Sequence, residues 1–502
     1  MLPSADVLIQ SRRVLLRPEG ARPQIVPATL FVSNGCIVRV YRGTPSPPGS
    51  PELPAAPLLD YGDGLITPAF VNPHTHLAMN FMRGRFEDLT ASSNAVEQLF
   101  FRIEAQLEPA DVRAFTRMGA YESLLSGVGL VWDHFYFGDA VAAGLRDVGL
   151  AGVVAPTLQD VHGPGVGRAE QGIADTLQIA LDAQLASGGV FSALGPHATD
   201  SVSPALWSTL AELSATHRLP LHFHLAQSPE EVARVQNASG CSPVERLRRA
   251  GILELAQQRV MAHGIYLSLA DARLATSGSE PGAQQAEPGA NPKSQAGGAG
   301  WLVFCPTSQT QFGLPARIDE WLEAQIPFLV ASDSGNSNDG LSVQAELRWV
   351  AGFRALSCSF GGALSRLLAG GQSAEAEQAR QEREGAVQRR ALLGDSDFLL
   401  RKIWDDAGAL HPAFRAGVIS EGALANLAVW DLDSPELWPA TDPLRALAFS
   451  NLAHALRQLI LLGRPLGEDG AFRSSLLRSH GYREALREAN ARLGQLWRRA
   501  GC

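Results

Sequence analysis

His74 and His76 stand two residues apart in FVNPHTHLAMNFMRG, after the apolar run TPAFV. On a strand, residues i and i+2 point to one face, and two imidazoles on one face can share a metal ion. Taken alone, the pair reads equally as a strand cap and a loop histidine. The same residue types recur at the ends of later apolar runs. Asp133 and His134 close GLVWDHF, and His197 follows VFSALGP. His222 and His224 lie in LPLHFHLA, His263 in RVMAHGI and Asp333 in PFLVASDS. Seven of the twelve histidines fall at such ends, which an even scatter would not give. Several imidazoles and a carboxylate around an open position make a catalytic metal site rather than a structural one. Such a metal brings the pKa of water to about 7, and a neighbouring carboxylate can carry the proton to a leaving group. Asp333 suits that task. His263 suits orienting the water or polarising the electrophilic carbon.

These residues need a frame that brings distant strand ends together. From residue 65 the chain offers eight apolar runs: 65–71, 129–135, 152–158, 190–196, 219–226, 259–265, 301–307 and 327–334. Amphipathic stretches intervene at 111–126, 204–217 and 242–254, with apolar residues at helical spacing. Buried strands alternating with helices predict a parallel sheet covered on both faces. Eight of them predict a (β/α)8 barrel, whose chemistry sits at the C-terminal strand ends. Residues 6–43 read as short strands around an Asn34-Gly35 hairpin turn. LANLAVWDLD and ALRQLILLGRPL read as strands able to complete that small β-domain. Residues 44–57 form a Pro-rich loop, 276–300 a disordered insertion poor in large apolar residues, and 372–391 a solvated charged helix.

The net charge of -9 disfavours nucleic acid as a partner. No run of eighteen apolar residues predicts a membrane span, and the N-terminus lacks the pattern of a signal peptide. Five scattered cysteines without a CxxC predict a reducing compartment, the cytoplasm.

HTH after the first barrel strand, HFHLAQ on the fifth, AHG on the sixth, FCPTSQ on the seventh and SDSGNSN on the eighth together resemble the amidohydrolase superfamily. More narrowly they resemble its branch of cytosine/guanine deaminases, S-adenosylhomocysteine deaminases and chlorotriazine hydrolases. The resemblance covers nearly the whole chain. It implies an α/β fold with a (β/α)8 barrel over 65–415 and a small β-sandwich from both ends, 1–64 and 416–502, the latter carrying a C-terminal helix. It implies His74, His76, His224 and Asp333 as ligands of one divalent metal, zinc or iron. It also implies His263 as the partner of the water or leaving group, and His197 as a substrate contact. His222 is not a ligand in that pattern and reads as structural, whereas Asp133 and His134 read as pocket lining or core. Binuclear members bridge two ions with a barrel lysine. The chain's two lysines, Lys293 and Lys402, lie in the insertion and far beyond the eighth strand, so one metal per chain is expected. The resemblance implies a small-molecule substrate and allows a homodimer.

Two positions depart from the family pattern. Gln227 stands where a proton-shuttling Glu is usual, and Phe304 where many members have His. An amide has the shape of a carboxyl but cannot exchange its proton. Glu230 and Glu231, one turn on, read as solvated. Three readings follow: hydrolysis of an amide-like or other non-peptide C–N bond with Asp333 as base and Gln227 bonding the substrate; deamination of an N-heterocycle such as a purine, pyrimidine or triazine, with another group in place of the Glu; or a silent binding relative. Met79, Met82, Phe100 and Phe101 suggest an apolar lid, and Arg83 and Arg85 read as anion contacts or surface residues.

Overall fold

The computed structural model describes residues 5–18, 22–43, 55–85, 94–277, 300–360 and 390–501. The expected loop at 44–57, insertion at 276–300 and helix at 372–391 lie mostly or wholly outside them.

Both ends of the chain contribute to one eight-stranded mixed sheet. From the N-terminal side come β1 (Val7–Leu16), β2 (Gln24–Ser33), β3 (Cys36–Arg42), β4 (Leu58–Asp60) and β5 (Leu65–Pro68). The C-terminal side adds β16 (Leu427–Trp430), β17 (Leu456–Leu461) and β18 (Arg464–Leu466), and the order is β18-β17-β16-β5-β1-β2-β3, with β4 beside β1. The seam between the ends is β5 against β16, where Thr67 pairs with Ala428 and accepts the Trp430 indole N–H at 2.8 Å. The apolar run expected as one strand over 65–71 is therefore two: Leu65–Pro68 joins the mixed sheet, and the chain re-enters a parallel sheet at Phe70.

The parallel strands follow in chain order: β6 (Phe70–His76), β7 (Val128–Phe135), β8 (Ala151–Leu158), β9 (Val190–Ser192), β10 (Gly195–Pro196), β11 (Leu221–Leu225), β12 (Arg259–His263), β13 (Gly300–Phe304), β14 (Phe328–Val330) and β15 (Asp333–Ser334). They form a six-stranded sheet, β10-β8-β7-β6-β15 with β9 beside β8, and a four-stranded sheet, β11-β12-β13-β14. A parallel bridge, Leu194 to Leu221, joins the two at one edge. At the other edge β14 runs through Ala331 and Ser332 into β15, which pairs with β6. There the amide of Asn72 donates to Ser332 Oγ at 2.7 Å. Alternation along each strand sorts the side chains. Val71, Leu130, Val153, Ala193, Val260, Val303 and Leu329, drawn from both parallel sheets, meet in one cluster. Residues on the opposite faces, such as Phe223 and Phe304, pack outward against helices, onto Trp207 and Trp321. β16, β17 and β18 then return to the mixed sheet.

Helix starts are written locally. Three helices, Pro204–His217, Pro229–Ser239 and Pro243–Arg249, begin with Ser-Pro. In each the serine hydroxyl caps a first-turn N–H, and proline fills the N1 position, where no donor is needed. The final helix, His480–Ala500, lies against Pro109–Leu125 rather than the mixed sheet, with Arg117 donating to Glu488 at 2.7 Å.

Candidate metal centre and cavity

The strand ends bring His74, His76, His224, His263 and Asp333 together. The ligand atoms of His74, His76 and His224 lie within 4.8 Å of one another, as do those of His74, His263 and Asp333. Asp333 Oδ1 is 3.5 Å from His74 Nε2 and 3.4 Å from His76 Nε2. The backbone turns sharply to aim these groups: Ala226, His263 and Asp333 all have positive φ, at 47°, 76° and 62°. For residues other than glycine that conformation costs energy and persists where surrounding structure enforces it.

The protons can be placed. His76 Nδ1 donates to His134 O, and His224 Nδ1 donates to His197 O at 2.9 Å. A neutral imidazole with one N–H keeps a lone pair on the other nitrogen. The Nε2 lone pairs of His76 and His224 therefore face each other at 3.3 Å. His74 Nε2 is buried without a hydrogen-bond partner. Burial pushes the His74 imidazole down to about 4 and His197 to about 3, and also lowers His76, His224 and His263. Burial opposes ionisation of Asp333. The close imidazoles of His74, His263 and His76 outweigh it, holding the carboxyl well below its usual range. Neutral imidazoles converging with a carboxylate turn several acceptors on one point, an arrangement a divalent cation fits.

A second layer fixes this donor set. His74 Nδ1 meets His222 Nε2 at 2.8 Å, so His222 supports the centre without being one of the converging ligands. Asp333 Oδ2 accepts from Ser308 Oγ at 2.7 Å and Ser337 Oγ at 3.3 Å. Glu346 accepts the backbone N–H and hydroxyl of Thr307 and the amide of Asn338, tying the segments on either side of Asp333 together. Asp133 is buried away from the cavity. It holds the Leu77 N–H at 2.6 Å, and burial pushes its carboxyl up to about 7.

The centre opens into a cavity of about 240 Å³, lined by His76, His134, His197, His224, Gln227, His263 and Asp333 among others. Met79, Phe100 and Phe101 line it, but Met82 is packed in the core. Arg83 pairs with Glu122 at 2.7 Å and Arg85 lies over Trp497 at 4.9 Å, so neither reaches the cavity. Phe304 packs edge-on against Trp321 and tilted against Phe353, outside it. Lys402 pairs with Asp406 elsewhere, while Lys293 lies outside the described residues.

One expectation is corrected. Glu231 is buried, at 1% exposure, not solvated. The Ser228 cap turns the first helical turn inward, and the Glu231 carboxylate accepts from the Gln227 N–H at 2.9 Å and the Thr199 hydroxyl at 2.5 Å. Burial, then the charge of Asp200, pushes its carboxyl up to about 7. Glu230 lies half-buried on the cavity wall. Sequence reasoning also missed Glu104, a 4% exposed carboxyl on the same wall. Burial pushes it up to about 8 against its bond to Tyr136. It follows the wide-turned helix Val96–Phe100, and no motif marks it.

The sequence model of the Amidohydrolase family matches residues 65–360. A 5-methylthioadenosine/S-adenosylhomocysteine deaminase of Natronomonas pharaonis is 27% identical, covering 83% of this chain and 84% of its own. An adenosine deaminase structure from Xanthomonas campestris with bound zinc superposes with a TM-score of 0.75 at 21% identity, over 98% of each chain. The zinc complex of an Arthrobacter aurescens atrazine chlorohydrolase gives 0.71 at 19%, over 97% of this chain and 100% of its own. The family match extends over more than half of the sequence, and the chain belongs to the amidohydrolase family, as a hydrolase acting on non-peptide carbon–nitrogen bonds.

Proposed function

We propose that this chain is a mononuclear, zinc-dependent aminohydrolase that removes an amino group from a small N-heterocycle. The carrying observation is the convergence of three buried imidazole lone pairs and Asp333 at the floor of a cavity walled by Phe100, Phe101 and Phe312. Aromatic walls suit a flat ring. The named relatives are deaminases of adenine nucleosides or a hydrolase of a triazine, which favours a heterocyclic amine over an open-chain amide. We read the two parallel sheets, joined at both edges, as one (β/α)8 barrel. The mixed sheet, with its own core around Ile9, Leu30, Ile66 and Val429, is the accompanying β-domain.

His74, His76, His224 and Asp333 would hold the metal. When bound, it supplies the Lewis acidity that makes water nucleophilic at neutral pH. Asp333, fixed by Ser308 and Ser337, accepts the water's proton and returns it to the departing nitrogen. His263 bonds the attacking oxygen, and His197 orients the ring. Gln227 bonds a ring nitrogen as a neutral partner. Glu104, on the same wall with its carboxyl pushed up to about 8 by burial, is the group that can give a proton to a ring nitrogen and recover the water's second proton as the carbonyl forms, an exchange the Gln227 amide cannot make.

The test is elemental analysis combined with a screen of aminated purines, pyrimidines and triazines. About one zinc per chain with ammonia release supports this function. One zinc with release only from open-chain amides replaces it by amide hydrolysis, and no retained metal after zinc supplementation overturns it.

A further inference from the structure

The cavity wall carries six carboxyl groups, those of Glu97, Glu104, Asp200, Glu230, Glu231 and Asp333. Among the described residues that line it there is no lysine or arginine. The six do different things. Asp333 belongs to the metal centre, and Glu104 and Glu231 are buried carboxyls tied into the wall, Glu104 at Tyr136 and Glu231 at the Gln227 N–H and the Thr199 hydroxyl. Glu97, Asp200 and Glu230 remain. Their end of the cavity opens at Glu97 and His162, whose side chains are 34% and 29% exposed, while Asp200 behind them, at 6%, is as buried as the 0–10% of His74, His76 and Asp333. One cation attends them from behind the wall. Arg234 pairs with Glu97, reaches Asp200 at 3.4 Å and donates to His162 at 3.1 Å. Its guanidinium is thus engaged within the cluster. One Glu230 oxygen is buried with no hydrogen-bond partner, although the residue stands on the cavity wall. Three carboxylates against one guanidinium leave the mouth negative, while a divalent ion with Asp333 leaves the floor positive. Walls of low dielectric strengthen such a field inside a cleft.

We infer that the cavity selects its substrate by charge: the part of the molecule remote from the reacting carbon is an uncharged hydrogen-bond donor or an ammonium group, and carboxylate- or phosphate-bearing analogues are rejected. The inference rests on the proposed function only in taking this cavity as the substrate site. Asp200, Glu97 and Glu230 are the specificity-determining residues, with Arg234 holding the first two in place. A tail ending in an amine or hydroxyl can bond the Glu230 carboxylate on the wall, whose buried oxygen has no partner of its own. A carboxylate there meets like charge with no cation on the wall to pair with it.

The test uses zinc-loaded full-length protein and three matched metal-directed ligands: benzohydroxamic acid, its 4-aminomethyl derivative and its 4-carboxy derivative. Binding is measured by calorimetry at pH 7 and low salt. The carboxy compound is expected to bind at least 10-fold more weakly than the parent, and the aminomethyl compound at least as tightly. Glu230→Gln should narrow the gap between the charged pair at least threefold, with added salt acting in the same direction. Equal or tighter binding of the carboxy compound overturns the inference, as does a gap unchanged by Glu230→Gln or a failure of all three ligands to bind. If the ligands rank as expected while no heterocyclic amine is turned over, the charge selectivity stands and the deaminase reading falls.

Discussion

His222 meets His74 nitrogen to nitrogen at 2.8 Å, with the two rings crossed at 85°. For His74 to present a lone pair from Nε2, its Nδ1 must carry the proton and donate it to His222. The HxH of β11 thus divides its work: His224 faces the centre and His222 sets the tautomer of a histidine on another strand. Replacing such a partner commonly costs 10–100-fold in metal affinity. His222→Phe should weaken zinc binding by about that factor in a chelator competition assay, and His222→Gln should recover part of it. Equal affinity in all three proteins would assign His222 to packing alone.

The bond from Ser308 to Asp333 fixes a carboxylate that the proposed function asks both to bind metal and to move a proton. Asp333→Asn should lose metal and nearly all activity together. Ser308→Ala removes one bond to a charged oxygen, worth about 1.5–3 kcal/mol, so kcat should fall roughly tenfold or more while metal content stays near one per chain. A Ser308→Ala protein that loses its metal would make Ser308 part of the binding site rather than of proton transfer.

Gln227→Glu restores a titratable group beside the metal floor. If the chain is a deaminase working with a weakened shuttle, kcat on a heterocyclic amine should rise, within the roughly 10²–10⁴ range of general acid–base contributions. It should also acquire a new limb in its pH profile. A loss of activity without a new limb would identify the Gln227 amide as a substrate contact whose donor N–H matters.

Glu104 makes stability depend on pH. Its carboxyl titrates near 4.5 when unfolded and at about 8 when folded. Below 4.5 both states keep the proton. Between 4.5 and 8 the unfolded chain releases a proton that the folded one retains, so stability falls as pH rises and levels off above 8. Glu104→Gln removes this slope. The variant should gain on the parent from pH 5 to pH 9 by on the order of a few kcal/mol, read from unfolding midpoints of the zinc-loaded proteins. Glu231, Glu346 and Asp133, all pushed up to about 7 by burial, slope both proteins alike and cancel in the comparison. An identical difference at both pH values would mean that folded Glu104 is already ionised at pH 5.

The residues that converge on the metal floor were legible because strand alternation and strand ends leave marks in sequence. HTH, HFH and the Asp of SDS each follow an apolar run, and period two alone puts His74 with His76 on one face. Glu231 was misread because its inward turn depends on the Ser228 cap and on Thr199, a residue from a different loop. Glu104 was invisible for a related reason. Its burial is created by Tyr136 and the aromatic wall, and nothing within its own segment encodes that contact. The first parallel strand was misplaced by five residues, since LITPAFV is continuous in hydrophobicity but bends at Pro68 between two sheets.

The indole of Trp430 bonds to Thr67 across 363 residues of chain. During synthesis β5 emerges long before its partner β16. At about 5–20 residues per second, the ribosome takes roughly 20–70 s to supply that partner, and through that interval the apolar Leu65–Pro68 edge has no strand on its β16 side. The N-terminal strands can pair among themselves early, but their sheet is completed only after the whole metal-bearing region has been made. An exposed strand edge waiting that long is a natural station for a chaperone.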